Sequence, residues 1–231
     1  MLFSIIKRQK LVNMEMKHRK NFEKTVEKYQ LVRFKRNELV YQPGDFLDLF
    51  YYLKSGFLRI YAICKNGQEM TIIILKPHSL FPLSFGPNRP KSRYYVEALT
   101  PIEAYAIPKK EMTNLLMENL EIFPEVMESV DALYKESLER IEYLASGNAY
   151  TKVVAVLLSL VAETTKKTTE VTLDLPATHR TIASMTGLTR ETVTLQMLKL
   201  KKRGLIAGKG RHLVIKDLDQ LREEGVCIPE D

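Results

Sequence analysis

HRTIASMTGLTRETVT, residues 179–194, is the stretch that decides the fold of this chain. The apolar residues of its first part have helical spacing and would face inward: Ile182, Ala183 and Met185. Gly187 follows where a sharp turn between two helices needs a positive φ. Thr189 is a residue type that caps the N-terminus of a following helix. Residues 179–206 are therefore predicted to form a helix-turn-helix.

The second helix of this pair carries the functional signal. It would pack onto the first helix through apolar residues at helical spacing: Val193, Met197 and Leu200. Arg190, Glu191 and Thr194 are left pointing outward near its N-terminus, the end that a recognition helix presents to base edges in the major groove. Arginine suits guanine O6 and N7, and glutamate accepts a hydrogen bond from cytosine N4. The pattern predicts DNA binding, the alternative being a helical hairpin with a solvated charged face.

The distribution of charge supports a polyanionic partner. The chain of 231 residues has a net charge of +7, from 35 Lys+Arg against 28 Asp+Glu. Residues 176–216 contain nine basic residues and one acid, so this segment alone carries +8. A basic face on a small domain is typical of a protein that binds nucleic acid. Residues 1–36 are also basic, but there a solvated helix face is the preferred interpretation.

Cysteine usage and hydropathy exclude several protein classes. Cys64 and Cys227 have no CxxC or metal-ligand spacing, which leaves a disulfide framework, a zinc site and an iron–sulfur cluster unsupported. No apolar run approaches the roughly 18 residues of a membrane span. Residues 2–6 are too short for the apolar region of a signal peptide. We therefore expect a cytoplasmic protein that needs no cofactor, metal or membrane.

The texture of the chain predicts an α+β protein with four parts. Residues 1–30 form a charged helical lead-in, and residues 31–120 consist of short β runs separated by turn residues, which suggests an antiparallel β-roll. Residues 121–147 read as one long helix. Residues 148–231 contain the helix-turn-helix followed by a β-hairpin, so this part is predicted to be a winged helix-turn-helix domain.

The long helix carries an apolar seam with heptad-style spacing. Its candidate interface residues are Met127, Val130, Tyr134, Ile141 and Leu144. Such a seam indicates packing against its own domain, against a partner helix, or both.

A β-roll, a long helix and a winged helix-turn-helix, in this order, resemble the cyclic-AMP receptor protein/FNR family of bacterial transcription regulators. The resemblance covers residues 31–216 and is most specific at Leu-Thr-Arg-Glu-Thr-Val, residues 188–193, and Leu-Lys-Lys-Arg-Gly-Leu-Ile, residues 200–206. It implies a homodimer joined through the long helix that binds a palindromic operator in double-stranded DNA, with one recognition helix in each half-site. RNA polymerase is a further candidate partner.

The resemblance also assigns candidate DNA contacts. Arg190 and Glu191 fall on base- and backbone-contacting positions, and Thr194 falls on a position that varies with operator preference. Leu195 stands where the family commonly has arginine, so it either contacts a thymine methyl group or belongs to the core, which is slightly preferred. The full candidate set is Thr178, His179, Arg180, Thr189, Arg190, Glu191, Thr194, Leu195 and Lys202.

The effector site departs from the cyclic-nucleotide pattern of the family. Phe81 and Pro82 occupy the Gly-Glu positions, Ser92 occupies the position of the phosphate-binding arginine, and Arg93 would face the other side of a strand. A cyclic nucleotide is therefore not expected. The candidate residues of an alternative pocket are Phe81, Leu83, Phe85, Arg93, Tyr95, Tyr134 and Ser137. The competing interpretation is that the aromatic and apolar side chains fill the roll and leave no ligand site.

The sequence argues against two other function classes. A cupin-like enzyme with a DNA-binding tail would need clustered metal ligands, but the four histidines, at positions 18, 78, 179 and 212, have no ligand spacing. A signalling module that binds a cyclic nucleotide or another small ligand is disfavoured, for the nucleotide, by Phe81 and Pro82. The effector, the operator, and activation versus repression do not follow from the sequence.

Overall fold

The structure is a computed structural model that describes residues 22–82, 90–118, 123–161, 170–173, 177–209 and 212–225. It divides into two compact units. The first comprises residues up to Tyr61 together with Ile74–Tyr134, and the second comprises Ala62–Ile73 and residues from Lys135 onward.

Short antiparallel strands form the roll predicted for the N-terminal half. Their bounds are β1 Gln30–Phe34, β2 Leu39–Tyr41, β3 Leu49–Ser55, β4 Leu58–Ile63, β5 Glu69–Leu75, β6 Leu80–Phe81, β7 Tyr95–Ala98 and β8 Ile102–Pro108. They make two four-stranded sheets in the orders β1-β8-β3-β6 and β2-β7-β4-β5. The predicted α+β class with an antiparallel roll is confirmed.

The core of the first unit joins the roll to the helices that flank it. Residues 22–26 are helical, and α1 spans Lys109–Glu118. The buried cluster consists of Phe22, Val26, Phe50, Tyr52, Leu80, Tyr105, Ile107, Met112, Leu115 and Val126. Burying side chains of this size contributes about 1.5–3 kcal/mol each. The helical segment that precedes the strands in the sequence and the helices that follow them therefore share one core with the roll.

Gly56, in the turn between β3 and β4, allows a direct test of backbone packing. Its φ is +82°, and a Cβ there would meet the Pro101 carbonyl oxygen and lie 2.8 Å from Ile102 Cγ2. Gly44 also has a positive φ, +99°, but a Cβ on it would have no described atom within 4 Å. We expect Gly44→Ala to lower the free energy of unfolding by about 1 kcal/mol, from φ strain alone. Gly56→Ala should cost about 3 kcal/mol, because overpacking adds to that strain.

Urea denaturation of the two variants measures this difference. Equal losses in the Gly44 and Gly56 variants would show that the backbone near Pro101 moves aside without cost.

The long helix α2 spans Phe123–Ser146, close to its predicted bounds. In the second unit it is followed by α3, Ala149–Ser159, whose N-terminus is capped by the side chain of Asn148. No helix in the described part of the chain is long and apolar enough to cross a membrane.

The rest of the second unit has the predicted helix-turn-helix and wing. Helix α4 spans His179–Thr186, α5 spans Arg190–Lys202 and α6 spans Leu218–Glu223. Strands β9 Val171–Thr172, β10 Ile206–Lys209 and β11 His212–Ile215 form a sheet in the order β10-β11-β9. The wing predicted after the second helix is the β10–β11 hairpin.

Candidate nucleic-acid interface

Local capping sets the geometry of the helix-turn-helix. Gly187 has φ +70° and donates its backbone N–H to the carbonyl of Ala183, which ends α4. The Thr189 hydroxyl accepts the backbone N–H of Thr192 at 3.2 Å and caps α5. Thr178 caps α4 in the same way. The predicted turn glycine and the predicted cap of the second helix are both present.

The inward face of α5 is filled. Its buried residues are Val193, Gln196, Met197 and Leu200. On α4, Ile182 and Met185 are buried as expected, while Ala183 is only half-buried and Ser184 is buried in addition. The prediction that Ala183 faces inward therefore holds only in part, since the buried face of α4 is centred closer to Ser184 than expected.

The opposite face of α5 is open to solvent. Arg190, Glu191 and Lys202 are exposed, as predicted for base- and phosphate-contacting residues. Leu195 is 60% exposed. The preferred prediction that Leu195 belongs to the core is wrong, because the buried face of α5 lies on the other side of the helix.

Thr194 is already engaged by neighbouring residues. Its hydroxyl donates to the Arg190 carbonyl at 2.9 Å, and its oxygen lies 2.8 Å from His179 Nδ1. A hydroxyl has a single proton, so Thr194 accepts from His179 and can offer a base only an acceptor. His179 is thus tied to α5, and Thr194 has less freedom to read bases than the sequence suggested.

The C-terminal end of α5 lines an open cleft of about 390 Å³ formed by Tyr150, Lys199, Lys202 and Arg203. Arg203 forms an ion pair with Glu224 and donates to the Tyr150 hydroxyl at 3.2 Å. Burial raises the pKa of the Tyr150 hydroxyl, and the Glu224 carboxylate raises it further, while Arg203 lowers it. The charge of Arg203 is therefore largely neutralised, whereas Lys199 and Lys202 remain exposed.

Within the second unit, hydrogen bonds join the first residues of β5 to α4 and α2. The Thr71 hydroxyl, fully buried, lies 2.7 Å from the Ser184 hydroxyl. Arg140 on α2 donates to the carbonyls of Ile72 at 2.8 Å and Met185 at 2.9 Å. Hydrogen bonds from a charged donor contribute about 1.5–3 kcal/mol each. Sequence reasoning missed this network because its partners are up to 113 residues apart.

Arg180, a candidate DNA contact on α4, lies beside the same segment. Its guanidinium is 3.7 Å from the Glu69 carboxylate, and 81% of the arginine side chain is exposed. An exposed pair at this distance is weak, so Arg180 stays available to a phosphate.

The residues proposed for an effector pocket are mostly accounted for by packing or solvent. Phe81 is buried and stacks on Tyr51 with ring centroids 5.3 Å apart. Tyr95 stacks on Tyr61 at 5.0 Å. Tyr134 and Ser137 on α2 are exposed. Leu83 and Phe85 lie outside the described residues.

The loop before β7 differs from the predicted strand. Arg93 is exposed and sits in a bend, because β7 begins only at Tyr95. The prediction that Arg93 lies within a strand was wrong. Ser92 is buried, and its hydroxyl donates to the Tyr94 carbonyl at 2.6 Å. Ser92, which the resemblance aligns with a phosphate-binding arginine, therefore uses its hydroxyl in a hydrogen bond within its own loop.

His78 is occupied by a structural contact. Its Nδ1 lies 2.6 Å from the Glu23 carboxylate and 3.3 Å from the Tyr52 hydroxyl. Among the described residues, no group of three or more His, Cys, Asp or Glu side chains could hold a metal ion.

Two protein families match this chain in the order that its architecture indicates. The cyclic nucleotide-binding domain matches residues 31–119, and the Crp-like helix-turn-helix domain matches residues 151–224. The chain belongs to the Crp/Fnr family of transcription regulators. Helix α5 is thus the second helix of a Crp-like helix-turn-helix domain.

Characterised Crp/Fnr relatives align with most of the chain. The global nitrogen regulator of Synechococcus elongatus is 28% identical over 189 residues, covering 80% of this chain and 85% of that protein. The transcriptional regulator SdrP of Thermus thermophilus is 28% identical over 201 residues, covering 84% and 95%. Among solved structures, FixK2 from Bradyrhizobium japonicum has a TM-score of 0.74 at 18% identity, covering 87% of this chain and 98% of that chain. This last likeness concerns the fold.

Proposed function

We propose that this Crp/Fnr regulator binds a palindromic operator as a homodimer and reads it with Arg190 and Glu191. The observation that carries the proposal is the exposed N-terminal end of α5, where both side chains are open to solvent while the opposite face is packed. Arginine and glutamate on such a face can pair with guanine and cytosine edges in the major groove. The role is regulatory and not enzymatic.

The residues around α5 fit the task of positioning it on the DNA backbone. Thr178 and Thr189 begin the two helices, where backbone N–H groups favour phosphate. Arg180 and Lys202 are exposed cations on α4 and α5, and His179 on α4 is half-buried and hydrogen-bonded to Thr194. Contacts of this kind fix register without reading sequence.

The homodimer is supported by the exposed apolar face of α2. Residues with heptad-related spacing are open to solvent along it: Met127, Tyr134, Leu138 and Ile141. Val130 and Leu144, also predicted for the seam, are half-buried. A second copy of the helix would cover this face, and two-fold symmetry would then match the two half-sites of a palindrome.

We propose further that a cyclic nucleotide is not the effector of this protein. Phe81 and Tyr95 are used in ring stacks and Ser92 bonds its own loop. Among the candidate pocket residues that the structure describes, the one cation is Arg93, which is exposed. The buried Arg59 nearby lies 3.5 Å from the Glu97 carboxylate, whereas a buried phosphate needs a cation of its own to pair with. Contact with RNA polymerase would follow from the role of a transcription regulator and is part of the proposal.

Two substitutions on α5 separate base reading from backbone binding. Glu191→Ala should relax the preference at one base pair of each half-site, at about 1–3 kcal/mol of lost discrimination. Lys202→Ala should weaken binding to all sequences alike, since a phosphate contact carries no sequence information. The measurement is selection of bound duplexes from a random library, followed by affinity measurements on single-base variants.

Glu223→Ala is the matched control for removal of a carboxylate, because Glu223 lies at the end of α6 and not on α5. An unchanged base preference in the Glu191 variant would remove this residue from the base-reading set. Failure of the selection to yield any common site would overturn the proposed function itself.

A further inference from the structure

Two leucines lie on the outward face of the recognition helix. Leu195 is 60% exposed and Leu198 is 49% exposed. An α-helix turns by about 100° per residue, so Glu191, Leu195, Leu198 and Lys202 fall on one stripe about 60° wide. The buried residues of α5 lie on the opposite side.

Packing among the described residues does not explain the pair. The inward face of α5 is complete without them, since Val193 and Leu200 are fully buried and Met197 nearly so. One exposed leucine on a protein surface is ordinary. Two neighbours at i and i+3, on the side that a recognition helix turns to the groove, form a small apolar surface between Glu191 and Lys202.

The charges around this surface favour DNA over a protein as its occupant. The exposed ionic residues flanking the two leucines on α5 are Arg190, Glu191, Lys199, Lys201 and Lys202. Four of these five are cationic, which complements a polyanion. Within the major groove, the 5-methyl group of thymine is the apolar feature of the base edges.

We infer that Leu195, with Leu198 beside it, recognises thymine methyl groups next to the base pair contacted by Glu191. The inference rests on the proposed function and adds a specificity-determining contact to it. One helical turn separates Glu191 from Leu195, a rise of about 6 Å, which corresponds to one or two base pairs at roughly 3.4 Å each. Leucine has no donor or acceptor, so a guanine or cytosine edge facing it would lose water without gaining a partner.

Substitution of thymine by deoxyuridine tests this contact, because it removes the methyl group and leaves base pairing unchanged. In the selected operator, each thymine is replaced in both half-sites together, and affinity is measured by fluorescence anisotropy. For the unaltered protein, at least one position should lose about fourfold in affinity per half-site, the value of one buried methyl-sized group. At a position where cytosine is disfavoured, 5-methylcytosine should recover part of the loss.

The variants assign the effect to its residue. In Leu195→Ala the deoxyuridine penalty should vanish at that position, and Leu195→Met, which keeps an apolar side chain there, should retain it. Lys199→Ala is the matched control: it removes an exposed side chain of α5 outside the stripe, so it should weaken binding to the thymine and deoxyuridine operators alike and leave the ratio of the two affinities unchanged.

The outcomes separate this inference from the function on which it rests. A library selection without a common site would overturn the proposed function. A common site whose thymines all tolerate deoxyuridine, or a penalty that persists in Leu195→Ala, would overturn the thymine contact alone. The apolar surface formed by Leu195 and Leu198 would then be a candidate contact for a protein partner and not for DNA.

Discussion

Raising the salt concentration from about 50 to about 200 mM should weaken operator binding about a thousandfold. The reason is that each lysine or arginine that meets a phosphate releases a counterion from the DNA. The exposed lysines of α5 are Lys199, Lys201 and Lys202. A dimer would bring two copies of this set, so these lysines alone offer about six phosphate contacts, which account for a loss of this size. Contacts from the exposed Arg180 would increase the loss.

Two other cations of residues 176–216 have carboxylate partners, which reduce their attraction for phosphate. Arg203 is paired with Glu224, and the Lys216 ammonium lies 2.9 Å from the Glu170 carboxylate. The net charge of residues 176–216 therefore overstates the number of cations in this segment that are available for phosphate contacts. Burial and ion pairing, which composition does not show, reduce the number of available contacts.

The slope of log affinity against log salt concentration measures the number of contacts. Lys202→Ala should reduce the magnitude of the slope by about two, one contact for each protomer. Lys216→Ala is the matched control, since Lys216 lies outside α5 and its ammonium is 2.9 Å from the Glu170 carboxylate, and it should leave the slope almost unchanged. A slope near zero for the unaltered protein would mean that phosphate contacts do not carry the binding.

Features set by neighbours in the sequence could be predicted well. The turn at Gly187 and the cap at Thr189 depend on a few adjacent residues, and their backbone geometry is as expected. The packed face of α5 follows from the helical period of Val193, Met197 and Leu200. The same period places Leu195 outside that face, so its exposure could have been derived from its angle on the helix.

Features that depend on distant partners could not be predicted. Strand β1 pairs with β8, more than 60 residues away in sequence, and β6 has only two residues. Nothing near Ser184 indicates that Thr71 will meet it, and nothing near Arg203 indicates Glu224. Long-range pairing of this kind follows from tertiary packing, which overrides local pattern.

The effector side shows a different limit. A cluster of aromatic residues is compatible with a pocket and with a filled core, because both bury apolar surface. The ring stacks of Phe81 on Tyr51 and of Tyr95 on Tyr61 favour the filled core for these side chains. The orientation of the rings decides between a ligand pocket and a filled core, and the residue types alone do not give that orientation.

Ile141→Glu should convert the proposed dimer to a monomer and weaken binding to the full palindrome by about a hundredfold or more. Ile141 is 63% exposed and Tyr134, one heptad earlier, is 61% exposed. Pairing of two α2 helices would cover both side chains, and a carboxylate at position 141 would be desolvated without a partner. A monomer would hold only one half-site, so the gain from binding two linked sites would be lost.

Sedimentation velocity and anisotropy titrations on full and half operators test this directly. Ile141→Leu, which keeps the apolar contact, should remain a dimer, and Glu139→Lys, on the opposite face of α2, should also remain one. Circular dichroism would show that each variant keeps its helices. Because α5 is untouched, Ile141→Glu should bind an isolated half-site as the unaltered protein does. A dimer that persists in Ile141→Glu would place the interface on a surface other than this face of α2, and full-palindrome binding would then be unchanged.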